Sequence, residues 1–226
     1  QPMSYPGSPY VICYNGEVFN YLEIRQELVS KGYKFYTNSD TEVVLCAYIE
    51  WGEKCLDRFN GMWAMAIWNK SNEELFLARD RFGIKPLYYS FNKRNYLMFA
   101  SETIAFKHYR PYKRSINTDN LNRSIHDSNL LEAIGYTLYD NIYQLLPGHY
   151  AKINLQTEQF RQIRWWNTFA ENIEIPSSYS DQVDKFRELF KDSCLLRLRS
   201  DVNVGTALSG GVDSSSVYCM LHHLNN

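Results

Sequence analysis

Between Trp63 and Ala100 the chain breaks into four short β-prone runs, and this stretch limits the fold more than any other part of the sequence. The runs are Trp63 to Trp68, Leu75 to Arg79, Leu87 to Phe91 and Tyr96 to Ala100. Asn69-Lys70-Ser71-Asn72 separates the first two, and Asn92-Lys93-Arg94-Asn95 the last two. Polar turns that short join neighbouring strands as hairpins, and hairpins build antiparallel sheets. Helical patterns lie on either side, which predicts a layered α+β unit.

The flanking patterns are specific. Tyr10 to Tyr14 is a short apolar run that meets Asn15-Gly16, a turn pair. Asn20 with Glu23 reads as the cap of a helix whose face carries Tyr21, Ile24 and Leu28 and which Gly32 ends. Ser39-Asp40-Thr41-Glu42 reads as a capping box. Val44, Ala47, Tyr48 and Trp51 follow at helical spacing before Gly52. After Glu102 the signal weakens, with Pro147-Gly148 marking a further turn.

Ile173 to Ser180, with Pro176 and three serines, reads as a linker. Beyond it the pattern becomes α/β. Ser180 to Leu198 is helical with Val183, Phe186, Phe190 and Cys194 on one face. Val202 to Leu208 is expected as a buried strand, and a last helix as starting near Ser214. The expected division is residues 1–172, a linker at 173–180 and a second unit over 181–226. A chain of 226 residues is about one and a half domains of ~150 residues. Gln1-Pro2-Met3 is neither an initiator methionine nor a signal peptide, and Leu224-Asn225-Asn226 ends just after a new unit opens. The expectation is a fragment cut at both ends.

Composition excludes several function classes. Hydrophobic residues at 45% and charged ones at 22% suit a folded core and argue against disorder, collagen or coiled coil. A net charge of −1 leaves no electrostatic footprint for nucleic acid or an anionic membrane. No apolar run reaches the ~18 residues of a membrane helix. Five cysteines, an odd number with no C-x-x-C pair, read as reduced thiols in a cytoplasmic protein.

Two constellations carry chemistry. Ser209-Gly210-Gly211-Val212-Asp213-Ser214-Ser215 lies between an expected strand and an expected helix. Glycines let backbone N–H groups approach a ligand, and a helix N-terminus adds positive potential. Such a loop suits a polyphosphate, and Asp213 suits a Mg²⁺ ion shared with it. No lysine follows the glycines, so this is not a G-x-x-x-x-G-K-[ST] loop. The second constellation is Tyr14-Asn15-Gly16-Glu17-Val18-Phe19-Asn20-Tyr21, with Asp40 downstream. An asparagine amide and the next N–H at the mouth of a turn are the parts of an oxyanion hole. Glu17 and Asp40 could receive a cationic amino group. Singly, each has a plainer reading: Asn15-Gly16 as a turn, Asp40 as a helix N-terminal acid.

Taken in order, N-G-E-V-F-N-Y, S-D-T-E-V-V-L, N-G-M-W-A-M-A-I-W, A-R-D-R-F-G-I-K-P-L-Y-Y and F-A-S-E resemble the glutaminase domain of glutamine-dependent asparagine synthetases. L-P-G-H-Y and R-L-R-S-D-V-N-V-G-T-A-L-S-G-G-V-D-S-S continue the resemblance over nearly the whole chain. It implies a four-layer αββα fold of the N-terminal-nucleophile type, then the start of an α/β pyrophosphate-loop domain. It implies Asn15 and Gly16 as the oxyanion pair, and these with Glu17 and Asp40 as glutamine contacts. Leu208, Ser209, Gly210, Gly211, Asp213 and Ser214 match the ATP loop, with Mg²⁺ at Asp213. Asp80 to Pro86 is a family hallmark for which a structural role, as a shaped loop, is expected.

One departure stands out. The family's nucleophile is an N-terminal cysteine whose own α-amino group is the general base. This sequence opens past it and past the arginine that clamps the glutamine carboxylate. Cys13, inside a strand without a free amine, is no substitute, so residues 1–226 alone are expected to be inactive. The implied reaction takes glutamine, ATP and aspartate, through an aspartyl-adenylate, to asparagine, glutamate, AMP and pyrophosphate. The same chemistry on another carboxylate, such as a sugar in surface-polysaccharide synthesis, stays open, as does a non-catalytic glutaminase-like binding protein. So does the oligomeric state, a homodimer included.

Overall fold

In the computed structural model, which describes residues 2–92, 96–110, 112–127, 129–157, 159–170 and 174–225, the chain divides into two units, Gln1–Thr168 and Phe169–Asn226. In the first unit β1 (Met3–Ser4) and β2 (Tyr10–Val18) lead into α1 (Tyr21–Ser30) and α2 (Asp40–Trp51). The strands β3 (Gly61–Asn69), β4 (Glu74–Arg79), β5 (Tyr88–Asn92) and β6 (Tyr96–Ala100) follow. After them come α3 (Thr118–His126), α4 (Leu130–Ile134), β7 (Tyr143–Gln144), β8 (His149–Asn154) and β9 (Gln159–Arg164). The second unit holds α5 (Tyr179–Arg197) and α6 (Val212–Asn225).

β3 with β4 and β5 with β6 pair as antiparallel neighbours, as expected. Antiparallel strands order as β1-β2-β3-β4-β8-β9 in one sheet and β6-β5-β7 in another. Alternation along β3 assigns the faces: Trp63, Met65 and Ile67 pack under α1 and α2, while Ala64 and Ala66 face the smaller sheet. Leu77, Tyr89 and Leu145 complete that second layer of core. The small alanines let the two sheets close on larger partners. Beyond the smaller sheet, Phe106 in a 3₁₀ turn (Thr103–His108), Tyr112 and Ile142 make a third cluster. The layers are therefore helix, sheet, sheet, helix, an α+β fold. Sheet and helix both derive their stability from these faces; α2 is buried from Thr41 to Tyr48.

Four expectations are corrected here. Asn15-Gly16 makes no turn: β2 runs through it, and every residue from Tyr10 to Val18 pairs with β3. Cross-strand pairing overrides the local turn propensity of Asn-Gly. Asn20 precedes α1 without a side-chain cap bond; its amide instead donates to Arg58 O and accepts from Asn60 N–H. The capping box is only half formed, because Ser39 accepts from Thr41 N–H while Glu42 turns away from Ser39. The buried Glu42 instead accepts from Tyr36 N–H, Thr37 N–H and Thr37 Oγ1, pinning the entry to α2. Val202 to Leu208 is exposed, irregular chain and not a buried strand. A strand exists by pairing, and among the described residues the second unit offers it two helices and no strand.

Two boundaries also shift. The last helix begins at Val212, and α5 begins at Tyr179, inside the expected linker, of which Ile173 lies outside the described residues. On α5 only Cys194 is buried; Phe186 and Phe190 stack on each other at 6.0 Å and line a cavity against α6 with Val183, Val217 and Met220. Lys93, Arg94 and Asn95, expected as a turn, lie outside the described residues. Among the described residues no helix is long and apolar enough to cross a membrane.

Candidate active site

The edge of β2 organises the first candidate site. β1 pairs only with Val11 and Ile12, so among the described residues no strand covers Cys13 to Val18 on the side away from β3. Phe19 N–H bonds to Asn60 O on the β3 side at 2.8 Å, whereas Val18 N–H bonds outward to Asp40 Oδ2 at 3.1 Å. Backbone groups alternate along a strand, so Gly16 N–H, two residues before Val18, also points to the uncovered edge. That is the direction an oxyanion donor needs.

Glycine is required there. Gly16 has φ +152°, and a Cβ would lie 2.2 Å from Met62 O and 2.5 Å from Trp63 Cα. The β3 side of this contact is itself fixed. Asp80, 1% exposed, accepts from four backbone N–H groups: Phe82 and Ile84 at Oδ1, Trp63 and Lys85 at Oδ2. Asp80 N–H returns a bond to Trp63 O at 2.9 Å. Trp63 stacks on Trp165 at 5.7 Å and meets Phe59 edge-on at 5.8 Å. The neighbouring Arg79 guanidinium, also buried, donates to Lys85 O, Leu145 O and Gly83 O, and burial holds its pKa below the ordinary value. Asp80 to Pro86 is thus a loop tied by its own carboxylate, and its first residue braces the strand facing Gly16.

The remaining predicted residues divide between two faces. Asn15 lies on the face toward the smaller sheet, where Nδ2 donates to Ser101 Oγ at 3.2 Å. A cleft of about 140 Å³ beside it is lined by Cys13, Asn15, Ala64, Phe99 and Ser101. Glu17 is exposed on the same face as Asn15. Asp40, the first residue of α2, reaches the opposite face, where Tyr14 Oη donates to Oδ2 at 3.0 Å. Burial first, and then Asp40, push the Tyr14 phenol far above its ordinary value, so it stays a neutral donor. Cys13 is mid-strand, opposite Ala66, and burial pushes its thiol up, the reverse of what activates a nucleophile.

Sequence reasoning included Tyr14 in the constellation without giving it a role, and missed Ser101 and the bracing by Asp80. Tyr14 opens the quoted constellation and Ser101 is the third residue of F-A-S-E, so motif membership was a signal; their partners, 26 and 86 residues away, were not visible locally.

The second candidate site lies within the second unit. Ser209 to Gly211 precede α6, with Gly210 at φ +82° and all three residues exposed. Ser214 Oγ accepts from Ser209 N–H at 3.3 Å, sits 3.0 Å from Ser209 Oγ and donates to Gly211 O at 3.2 Å. These bonds curl the loop over the first turn of α6, where Asp213 is the acidic residue. Leu208 is exposed. Among the described residues no group of three or more His, Cys, Asp or Glu could hold a metal. A lone carboxylate beside N–H donors fits a Mg²⁺ that takes its other ligands from phosphate and water.

Two antiparallel sheets packed face to face between helical layers are the fold of N-terminal-nucleophile glutamine amidotransferases. A solved glutamine phosphoribosylpyrophosphate amidotransferase from Bacillus subtilis shares it, with TM-score 0.50 and 21% identity over 99% of this chain and 47% of that one. Residues 1–166 match the model of the glutamine amidotransferase domain, and the chain belongs to that family. Residues 185–226 match the asparagine synthase model. Among curated relatives, asparagine synthetase [glutamine-hydrolyzing] 3 of Bacillus subtilis is 37% identical over 96% of this chain and 35% of its own length. Asparagine synthetase [glutamine-hydrolyzing] 1 of the same organism is 38% identical over 96% and 33%. The chain spans about a third of the length of these relatives.

Proposed function

We propose that the protein is a glutamine-hydrolysing, ATP-dependent ligase that makes asparagine from aspartate. The observation that carries this reading is the order of two matches in one chain, an amidotransferase domain over 1–166 followed by an asparagine synthase segment over 185–226. Other amidotransferases share the first; the second supports a synthase site as the destination of the ammonia. We assign residues 1–172 to the glutaminase domain and 181–226 to the opening of the ATP-binding domain, joined by 173–180.

At the first site Asn15 Nδ2 and Gly16 N–H stabilise the oxyanion that forms when the carboxamide of glutamine is attacked. Glu17 and Asp40 receive the α-amino group. The attacking thiol is assigned by the resemblance to an N-terminal cysteine. The outward direction of Gly16 N–H and the uncovered edge of β2 support this assignment. At the second site the N–H groups of Gly210 and Gly211 hold the pyrophosphate of ATP, Ser209 and Ser214 shape the loop around it through their mutual bonds, Leu208 borders the nucleotide, and Asp213 holds Mg²⁺. The ion neutralises the leaving pyrophosphate when bound. A cytoplasmic location fits five cysteines with no disulfide among the described residues.

The test is nucleotide product analysis on the intact protein. AMP formation that requires both aspartate and glutamine is expected. ADP formation, or no turnover, would overturn the mechanism.

A further inference from the structure

Asp40 is held from β2 by two donors on a single oxygen. Tyr14 Oη and Val18 N–H both bond Oδ2, at 3.0 and 3.1 Å, and among the described residues no donor reaches Oδ1. Tyr14 and Val18 are buried on the same face of the strand and flank Gly16, so the carboxylate spans the backbone at the oxyanion position. A carboxylate at a helix start can rotate about its χ angles; two donors from one rigid strand remove that freedom and leave one oxygen for a ligand. Val18 contributes a backbone group that any residue would supply. Tyr14 contributes a side chain, and its ring is part of the core against α2.

We propose that Tyr14 is a positioning residue for recognition of the α-amino group of glutamine: its hydroxyl fixes Asp40 so that Oδ1 receives the substrate ammonium. The inference rests on the reading that Asp40 contacts that amino group, and deepens it. A neutral phenol also serves better than a cation here. A lysine or arginine would neutralise Asp40 and repel the ammonium, whereas a hydroxyl orients the carboxylate and leaves its charge for the substrate.

The experiment compares two substrates on the intact protein: glutamine, and 4-carbamoylbutanoate, which keeps the carboxamide and carboxylate but lacks the amino group. Tyr14→Phe keeps the packed ring and removes only the donor. It is expected to raise KM for glutamine about tenfold with kcat within about twofold, and to leave KM for the deamino analogue unchanged. A purely structural role would move both substrates together, and that result, or no change with glutamine, would overturn the proposal. A second measurement does not depend on the size of the single effect. In an Asp40→Asn background, Tyr14→Phe should add nothing to the glutamine KM, because the residue acts through Asp40; full additivity would contradict it. Wild-type protein that hydrolyses neither substrate would overturn the underlying reading of the site, an outcome distinct from either result with the variant.

Discussion

Gly16 and Gly210 both adopt backbone angles that favour glycine, yet they are held in opposite ways. A Cβ on Gly16 would strike Met62 and Trp63 backbone within 2.5 Å, while one on Gly210 would meet nothing within 4 Å. The first sits in a strand paired along its whole length and braced through Trp63 by a carboxylate with four N–H donors. The second sits in an exposed loop shaped by one pair of serines. At both candidate sites backbone N–H groups are the proposed ligand contacts. One is fixed by tertiary packing, the other by residues within a span of six. Mutations should therefore couple stability to function at the first site and separate them at the second.

The largest effect expected is from Asp80→Ala, which leaves the buried N–H of Trp63 and the part-buried N–H groups of Phe82, Ile84 and Lys85 without their acceptor. Denaturant unfolding should show a loss of about 3–5 kcal/mol. A loss below about 1 kcal/mol would mean the loop does not brace β3. Next is Gly16→Ala, which must push β2 off β3. A loss of about 2–4 kcal/mol in unfolding and, in the intact protein, at least a hundredfold fall in glutamine hydrolysis are expected, the latter from the displaced N–H. A folded variant of wild-type stability would break the contrast between the sites.

These two positions also show what could be read from the chain alone. The hairpins between Trp63 and Ala100 and the helices α1 and α2 were legible, because alternation, spacing and turn residues are local signals. Asn15-Gly16 was singled out as a candidate site but given the wrong local structure, since nothing nearby reveals that β3 will pair with it. Asp80 was recognised as a hallmark without a mechanism for the same reason: its key partner, Trp63, lies in another strand. Beyond Glu102 the helices α3 and α4 were illegible. α3 is largely polar and α4 has only five residues, and order there comes from side chains such as Asn120, which bonds Thr137 O, and Asp140, held by Ser115 and Asn117. The turn and following helix at Ser209 to Ser214 were legible, with the helix starting at Val212, earlier than expected; the strand expected before it was not formed, because apolar residues specify a strand only with a partner.

At the open site the expected changes are smaller. Gly210→Ala should cost about 1 kcal/mol for its positive φ, with no clash to add. Weakened ATP binding by at least tenfold, read by calorimetry, should accompany it. An equal loss of folding stability at Gly210 and Gly16 would dissolve the comparison.

The smallest effect is in alkali and reads the packing of α2. Burial, reinforced by Glu42, pushes the Cys46 thiol up to about 12. The unfolded chain releases this proton near the ordinary thiol value of 9.0 while the folded chain keeps it. Stability from this group is therefore complete below about pH 9 and is lost as pH rises toward about 12. Cys46→Ala should flatten that part of the stability profile; an unchanged slope would show that the thiol is not desolvated.

The central claim is that one protein releases ammonia at a site built on β2 and consumes it at a site served by the Ser209 to Ser214 loop. Transfer of label tests it directly: the intact protein is given ATP, aspartate and glutamine carrying ¹⁵N in its side-chain amide, and the products are read by NMR. Recovery of ¹⁵N in the side-chain amide of asparagine is the predicted result. Label found only as free ammonium, with aspartate unchanged, would contradict it.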